Sequence, residues 1–62
     1  ARDAALAHAG VALTDTYELE VEEELDERTP CYKVEFKAGG MEYEYKIDAR
    51  TGGVLTYEMD RD

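Results

Sequence analysis

Few side chains in this 62-residue chain could do chemistry, and His8 and Cys31 are its only histidine and its only cysteine. His8 falls within Arg2–Ala9, which reads as a helix. At 3.6 residues per turn it lies about 200° from Leu6, so it is expected to face solvent. No cysteine cluster accompanies it, which makes it a poor metal ligand or base. Cys31 follows Pro30 and opens an alternating segment. A reactive thiolate needs a neighbouring cation or histidine, and the nearest cation in sequence is Lys33. Cys31 therefore reads as a buried or edge thiol, with an intermolecular disulfide as the alternative. The chain contains no serine, so a Ser-His-Asp device cannot be built.

Carboxylates are abundant. The run Glu18, Glu20, Glu22, Glu23, Glu24, Asp26 and Glu27 invites a calcium reading, but calcium loops converge oxygen ligands at defined spacing around a glycine bend. Alternate glutamates on one strand read instead as a solvated face that keeps an edge from pairing with other chains. Nothing suggests a pocket that would shift carboxylate pKa values. Asp48-Ala49-Arg50-Thr51-Gly52 resembles a functional loop, yet turn chemistry accounts for it: Asp48 and Thr51 can bond backbone amides, and glycine supplies positive φ. No catalytic, cofactor-binding or metal-binding residues are expected, and the chain does not read as an enzyme.

Charge narrows the field further. Sixteen acidic and seven basic residues give a net charge of −9. A nucleic-acid binder needs a cationic face, and docking on an anionic bilayer needs a basic patch. Neither is present, and no apolar run approaches the ~20 residues of a membrane helix. The length allows one domain at most. The chain starts inside a helix without methionine, which reads as an excised piece or a processed product. A core this small is marginal, because burial and conformational entropy nearly cancel at about 1.5 kcal/mol per ordered residue.

The elements follow from pattern. Alanine and leucine favour a helix over Arg2–Ala9, stopped at Gly10 in the left-handed conformation. Ala5, Leu6, Ala9 and Leu13 give its apolar side. The rest alternates with period two, the strand signal: Tyr17, Leu19, Val21; Tyr32, Val34, Phe36, Ala38; Met41, Tyr43, Tyr45, Ile47; and Leu55, Tyr57, Met59, each with charged residues between. Gly39-Gly40 is a hairpin signal. That turn sets Phe36 opposite Tyr43, Val34 opposite Tyr45 and Tyr32 opposite Ile47, with Lys37 opposite Glu42. Glu35 would then face Glu44, and Lys33 would face Lys46, offset by the diagonals Glu35–Lys46 and Lys33–Glu44. The fold class is α+β, one short helix packed on a four-stranded antiparallel meander.

All six aromatic residues, Tyr17, Tyr32, Phe36, Tyr43, Tyr45 and Tyr57, are expected on one face. One eight-residue helix is too small to cover four strands, so part of that face should stay open. Contiguous exposed apolar surface marks contact sites, and tyrosine suits such a strip because its body is apolar and its tip polar. Tyr17, Tyr43, Tyr45 and Tyr57 are the candidate partner-binding residues.

Taken together, the residues resemble a known family. Ala9-Gly10-Val11 precedes an acidic strand. Tyr32-Lys33-Val34-Glu35-Phe36, Gly39-Gly40, Glu42-Tyr43-Glu44-Tyr45, Ile47-Asp48-Ala49-Arg50-Thr51-Gly52 and Val54-Leu55 follow. This resembles the PepSY domain in its bacterial helix-plus-four-strand form, most specifically from Tyr32 to Leu55. The family's helix is commonly longer, and the Asp26–Pro30 loop departs from its usual glycine-containing turn. The resemblance implies a single PepSY-like domain over 1–62, truncated at its helix. It implies a place outside the cytoplasm, in the bacterial envelope or secreted, and a noncatalytic role restraining or chaperoning a peptidase or a domain of its own parent protein. A self-associating unit of a tandem-repeat envelope protein is the alternative. The partner is a protein, a second copy in the alternative case, and no cofactor is implied.

Overall fold

Alternation over four segments builds one antiparallel sheet. The computed structural model describes residues 1–26 and 28–61. Helix α1 spans Arg2–Ala9, and a single 3₁₀ turn covers Leu13–Asp15. Strands β1 (Tyr17–Glu24), β2 (Cys31–Ala38), β3 (Met41–Asp48) and β4 (Val54–Arg61) pair in the order β1-β2-β3-β4.

Gly10 ends α1 with φ 72°, and the Val11 amide donates to the Leu6 carbonyl at 3.1 Å. This left-handed stop folds Val11 back onto the core. It also breaks the helical spacing that would have carried the apolar side on to Leu13. Leu13 lies in the 3₁₀ turn and is 45% exposed, so it does not join the buried side of α1. That side consists of Ala5 and Leu6, with Ala4 and Ala9 packed beside them.

The central hairpin has the expected register. Phe36 pairs with Tyr43, Val34 with Tyr45, Tyr32 with Ile47 and Lys37 with Glu42. Gly39 and Gly40 have φ of 58° and 78°, the positive values at both loop positions that match the twist of a two-residue hairpin. The like-charge pairs Glu35–Glu44 and Lys33–Lys46 are real. Lys33 Nζ offsets the first by reaching Glu35 at 3.1 Å and Glu44 at 3.2 Å. The hydrogen bonds that the Lys33 ammonium donates to both carboxylates hold it well above its ordinary pKa.

Two irregularities depart from strict alternation. Tyr17 pairs with Lys37, but Glu20 pairs with Glu35, so β1 takes three steps against two on β2. Glu18 absorbs the extra residue at φ 53°, a β-bulge. Tyr17 therefore lies opposite a residue of the charged face, and Glu18 Oε2 reaches Lys37 Nζ at 3.1 Å. The expectation that all six aromatics share one face fails at Tyr17. In β4, Thr56 pairs with Lys46 and Val54 with Ile47, leaving Leu55 as the extra residue. Val54 takes the core position expected of Leu55, and Leu55 lines a surface cavity with Cys31, Lys46 and Thr56.

The β3–β4 turn is built from its own side chains. Asp48 Oδ1 accepts from the Arg50 amide at 2.7 Å and the Thr51 amide at 3.2 Å, and Thr51 Oγ1 accepts from the Gly53 amide at 3.1 Å. In the Asp26–Pro30 loop, Glu27 lies outside the described residues. Pro30 precedes β2, and its carbonyl accepts from the Ala49 amide at 3.0 Å.

Candidate functional site

The core forms where α1 crosses the sheet. Ala5 and Leu6 bury against Val34, Phe36, Tyr45 and Ile47. Small alanines let the helix backbone approach closely, but they also keep its footprint narrow. The rings beneath it run across three strands: Tyr43 stacks on Phe36 at 4.9 Å, Phe36 lies 6.2 Å from Tyr45, and Tyr45 lies 5.6 Å from Tyr57. Offset stacking of this kind adds about 0.5–1.5 kcal/mol per pair beyond area burial.

The ring row runs from covered to open. Phe36 and Tyr45 are 1% exposed, while Tyr57 is 51% and Met59 52% exposed. Tyr57 pairs with Tyr45, and Met59 with Tyr43. The covered core thus continues into an uncovered aromatic and methionine strip on β4. Val21, paired with Val34 on the opposite flank, is also exposed.

His8 joins helix to sheet. Its Nδ1 lies 3.0 Å from the Tyr45 hydroxyl, and its ring centroid lies 4.8 Å from that of Tyr57. The residue is exposed overall, yet one edge of the imidazole works against the sheet. The expectation that His8 faces only solvent is corrected here. Burial, and secondarily the Tyr57 and Tyr43 phenols, raise the Tyr45 pKa above the ordinary phenol value.

The opposite face is charged. Across the β3–β4 ladder Glu44 faces Glu58 and Glu42 faces Asp60. Cys31 is buried and pairs with Asp48. Among the described residues no group of three or more His, Cys, Asp or Glu side chains is placed to hold a metal ion.

A narrow helix on a wider sheet, with a glycine stop, a two-glycine central hairpin and an acidic outer face, is the arrangement the resemblance called for. The family model described as "Peptidase propeptide and YPEB domain" matches residues 1–58. The chain belongs to the PepSY family. Membership marks it as a peptidase-propeptide-like module, of a family generally noncatalytic and typically extracellular or envelope-associated. No curated protein and no solved structure matches the chain. Among the described residues no helix is long and apolar enough to cross a membrane.

The PepSY sheet distributes the four candidate tyrosines unequally. Tyr57 is open, and Tyr43 is half-buried beside a groove lined by Gly10, Val11 and Gly39. Tyr45 is buried beneath the helix and has almost no surface to offer a partner. Tyr17 is exposed but stands opposite Lys37. Met59 was not singled out from sequence, although its place in the alternation of β4 signals the same face as Tyr57. For His8, the spacing of three from Ala5, the buried centre of α1, is the signal that it leans toward the sheet.

Proposed function

We propose that this PepSY domain is a noncatalytic protein-binding module acting in the bacterial envelope or extracellular space. It restrains or chaperones a secreted peptidase, or a domain of its own parent protein. The binding unit is a single domain spanning 1–62. The observation that carries this reading is the uncovered strip of Tyr57 and Met59, continuous with the core. Half-exposed aromatic and thioether side chains next to a rigid packed ring row give a partner apolar area at little ordering cost. Tyr43 extends the surface, Tyr45 stacks beside Tyr57 across the β3–β4 pair, and Tyr17 belongs to the charged rim.

The family description supports the peptidase as partner class. The acidic outer face would steer encounter and select the sign of the partner. The test is to refold secreted bacterial metallopeptidases with and without the domain, measuring proteolysis and yield of active enzyme. Slowed proteolysis or a raised yield, reduced in Tyr57→Ala, is expected. Identical activity and yield across the panel would remove the reading.

A further inference from the structure

The two edges of the sheet differ. β1 is blunted by the bulge at Glu18. Its apolar row is also interrupted, because Glu23 pairs with Tyr32 and puts a carboxylate on that side. Bulges and inward-row charges keep an edge from recruiting further strands. β4 carries its bulge only at its start, at Leu55, and runs in regular register with β3 from Thr56 to Arg61 without a proline. Its apolar row presents Tyr57 and Met59 and closes on Arg61, opposite Met41. A charge thus enters that row only at the last residue of the strand, whereas β1 combines its inward charge with a bulge near its start. Its polar row presents Thr56, Glu58 and Asp60, the last two facing Glu44 and Glu42. Like charges directly opposite each other on a sheet are destabilising.

We propose that β4, over Thr56–Arg61, accepts an extended segment of a partner protein as a fifth strand, and that this segment alternates basic with apolar residues. The proposal rests on the protein-binding reading above and specifies its surface and its partner's chemistry. Alternate backbone N–H and C=O groups of an edge strand point away from the sheet and supply the ladder. Lysine or arginine on the polar row sits against Glu58 and Asp60 and relieves the repulsion across β3 and β4. Apolar residues on the other row cover Tyr57 and Met59. The net charge of −9 favours the encounter. A second copy of the chain is the poorer occupant: antiparallel pairing of β4 with itself keeps the rows matched and brings the row of Glu58 and Asp60 beside the same acidic row of the other copy.

The test uses a capped peptide alternating lysine and valine, a counterpart with every amide N-methylated, and a glutamate–valine peptide, with amide exchange followed by NMR. The lysine–valine peptide is expected to protect alternate amides of Thr56–Arg61 and to leave Tyr17–Glu24 unchanged. N-methylation, replacement of lysine by glutamate, and the double variant Glu58→Lys/Asp60→Lys should each weaken binding about tenfold or more, a change of about 1.4 kcal/mol. Equal affinity of the N-methylated peptide, protection on β1, or no binding of the lysine–valine peptide overturns the proposal. So does concentration-dependent protection of β4 without peptide, which makes a second copy the occupant. Peptidase refolding with the double variant separates the two readings. Restraint retained while peptide binding is lost removes the β4 assignment alone. Peptide captured on β4 by a domain that restrains no peptidase supports the β4 assignment and removes the peptidase role.

Discussion

The Tyr45 hydroxyl, beneath α1, lies 3.0 Å from His8 Nδ1, so the one histidine of the chain ties the helix to the third strand. α1 is too short to persist alone in water. Its position depends on Ala5 and Leu6 below it and on this polar contact at its last turn. The same imidazole rests on Tyr57, so it marks the border between the covered and open parts of the ring row.

Removing either side of that contact should cost modestly. His8→Ala and Tyr45→Phe are each expected to lose about 0.5–1.5 kcal/mol, the net worth of one hydrogen bond. The double variant should be less destabilised than the sum of the two. Thermal or urea unfolding of the four proteins in a double-mutant cycle measures this. Strict additivity would show that the contact is not formed in solution.

Core and strip should respond differently to truncation. Phe36 is 1% exposed and stacked on Tyr43. Phe36→Ala should cost about 3–5 kcal/mol, comparable to the whole stability of about 3–5 kcal/mol expected of so small a core. Loss of the cooperative transition in circular dichroism is the expected result. Met59→Ala, at a half-exposed position, should stay within about 1 kcal/mol of the parent while lowering partner capture.

The Gly39-Gly40 hairpin predicts opposite signs for two substitutions. Asparagine is favoured at the first position of such a turn, and the open space around Gly39 holds no clash for it. Gly39→Asn should be neutral or stabilising by a few tenths of a kcal/mol, by restricting the unfolded chain. Gly40→Val places a β-branched residue at φ 78° and should cost at least about 1–2 kcal/mol. Urea midpoints decide the sign in each case.

Alkaline pH should destabilise the domain. Burial raises the Tyr45 pKa in the folded state, so the unfolded chain releases that proton first. The associated stability is complete below the ordinary phenol value of about 10 and falls as pH rises through the higher folded value. Lys33, whose pKa is also raised, acts in the same direction. Urea unfolding from neutral pH to beyond the phenol range should show a smaller alkaline loss in Tyr45→Phe than in the parent. Parallel pH profiles would rule out Tyr45 as a contributor.

Local sequence features account for much of this architecture. The strand spans and the register of the central hairpin were legible because side-chain alternation and two adjacent glycines act over a few residues. Phe36 could be placed opposite Tyr43 by counting outward from Gly39-Gly40. The turn after Asp48 was legible for the same reason, since its bonds run between residues two or three apart. The helix stop at Gly10 needed only the sign of one dihedral angle.

Pattern alone could not locate the bulges at Glu18 and Leu55. Neither is a glycine, and a bulge arises when two strands compete for register along their whole length. Tyr17 therefore changed face and Val54 displaced Leu55 from the core. Nor could pattern divide Tyr45 from Tyr57, which occupy equivalent places in their strands. Only the packed helix does so, by covering one ring and leaving its neighbour in water. Alternation chose the apolar side of the sheet; the narrow footprint of α1, a contact between distant parts of the chain, decided which portion of that side stays available.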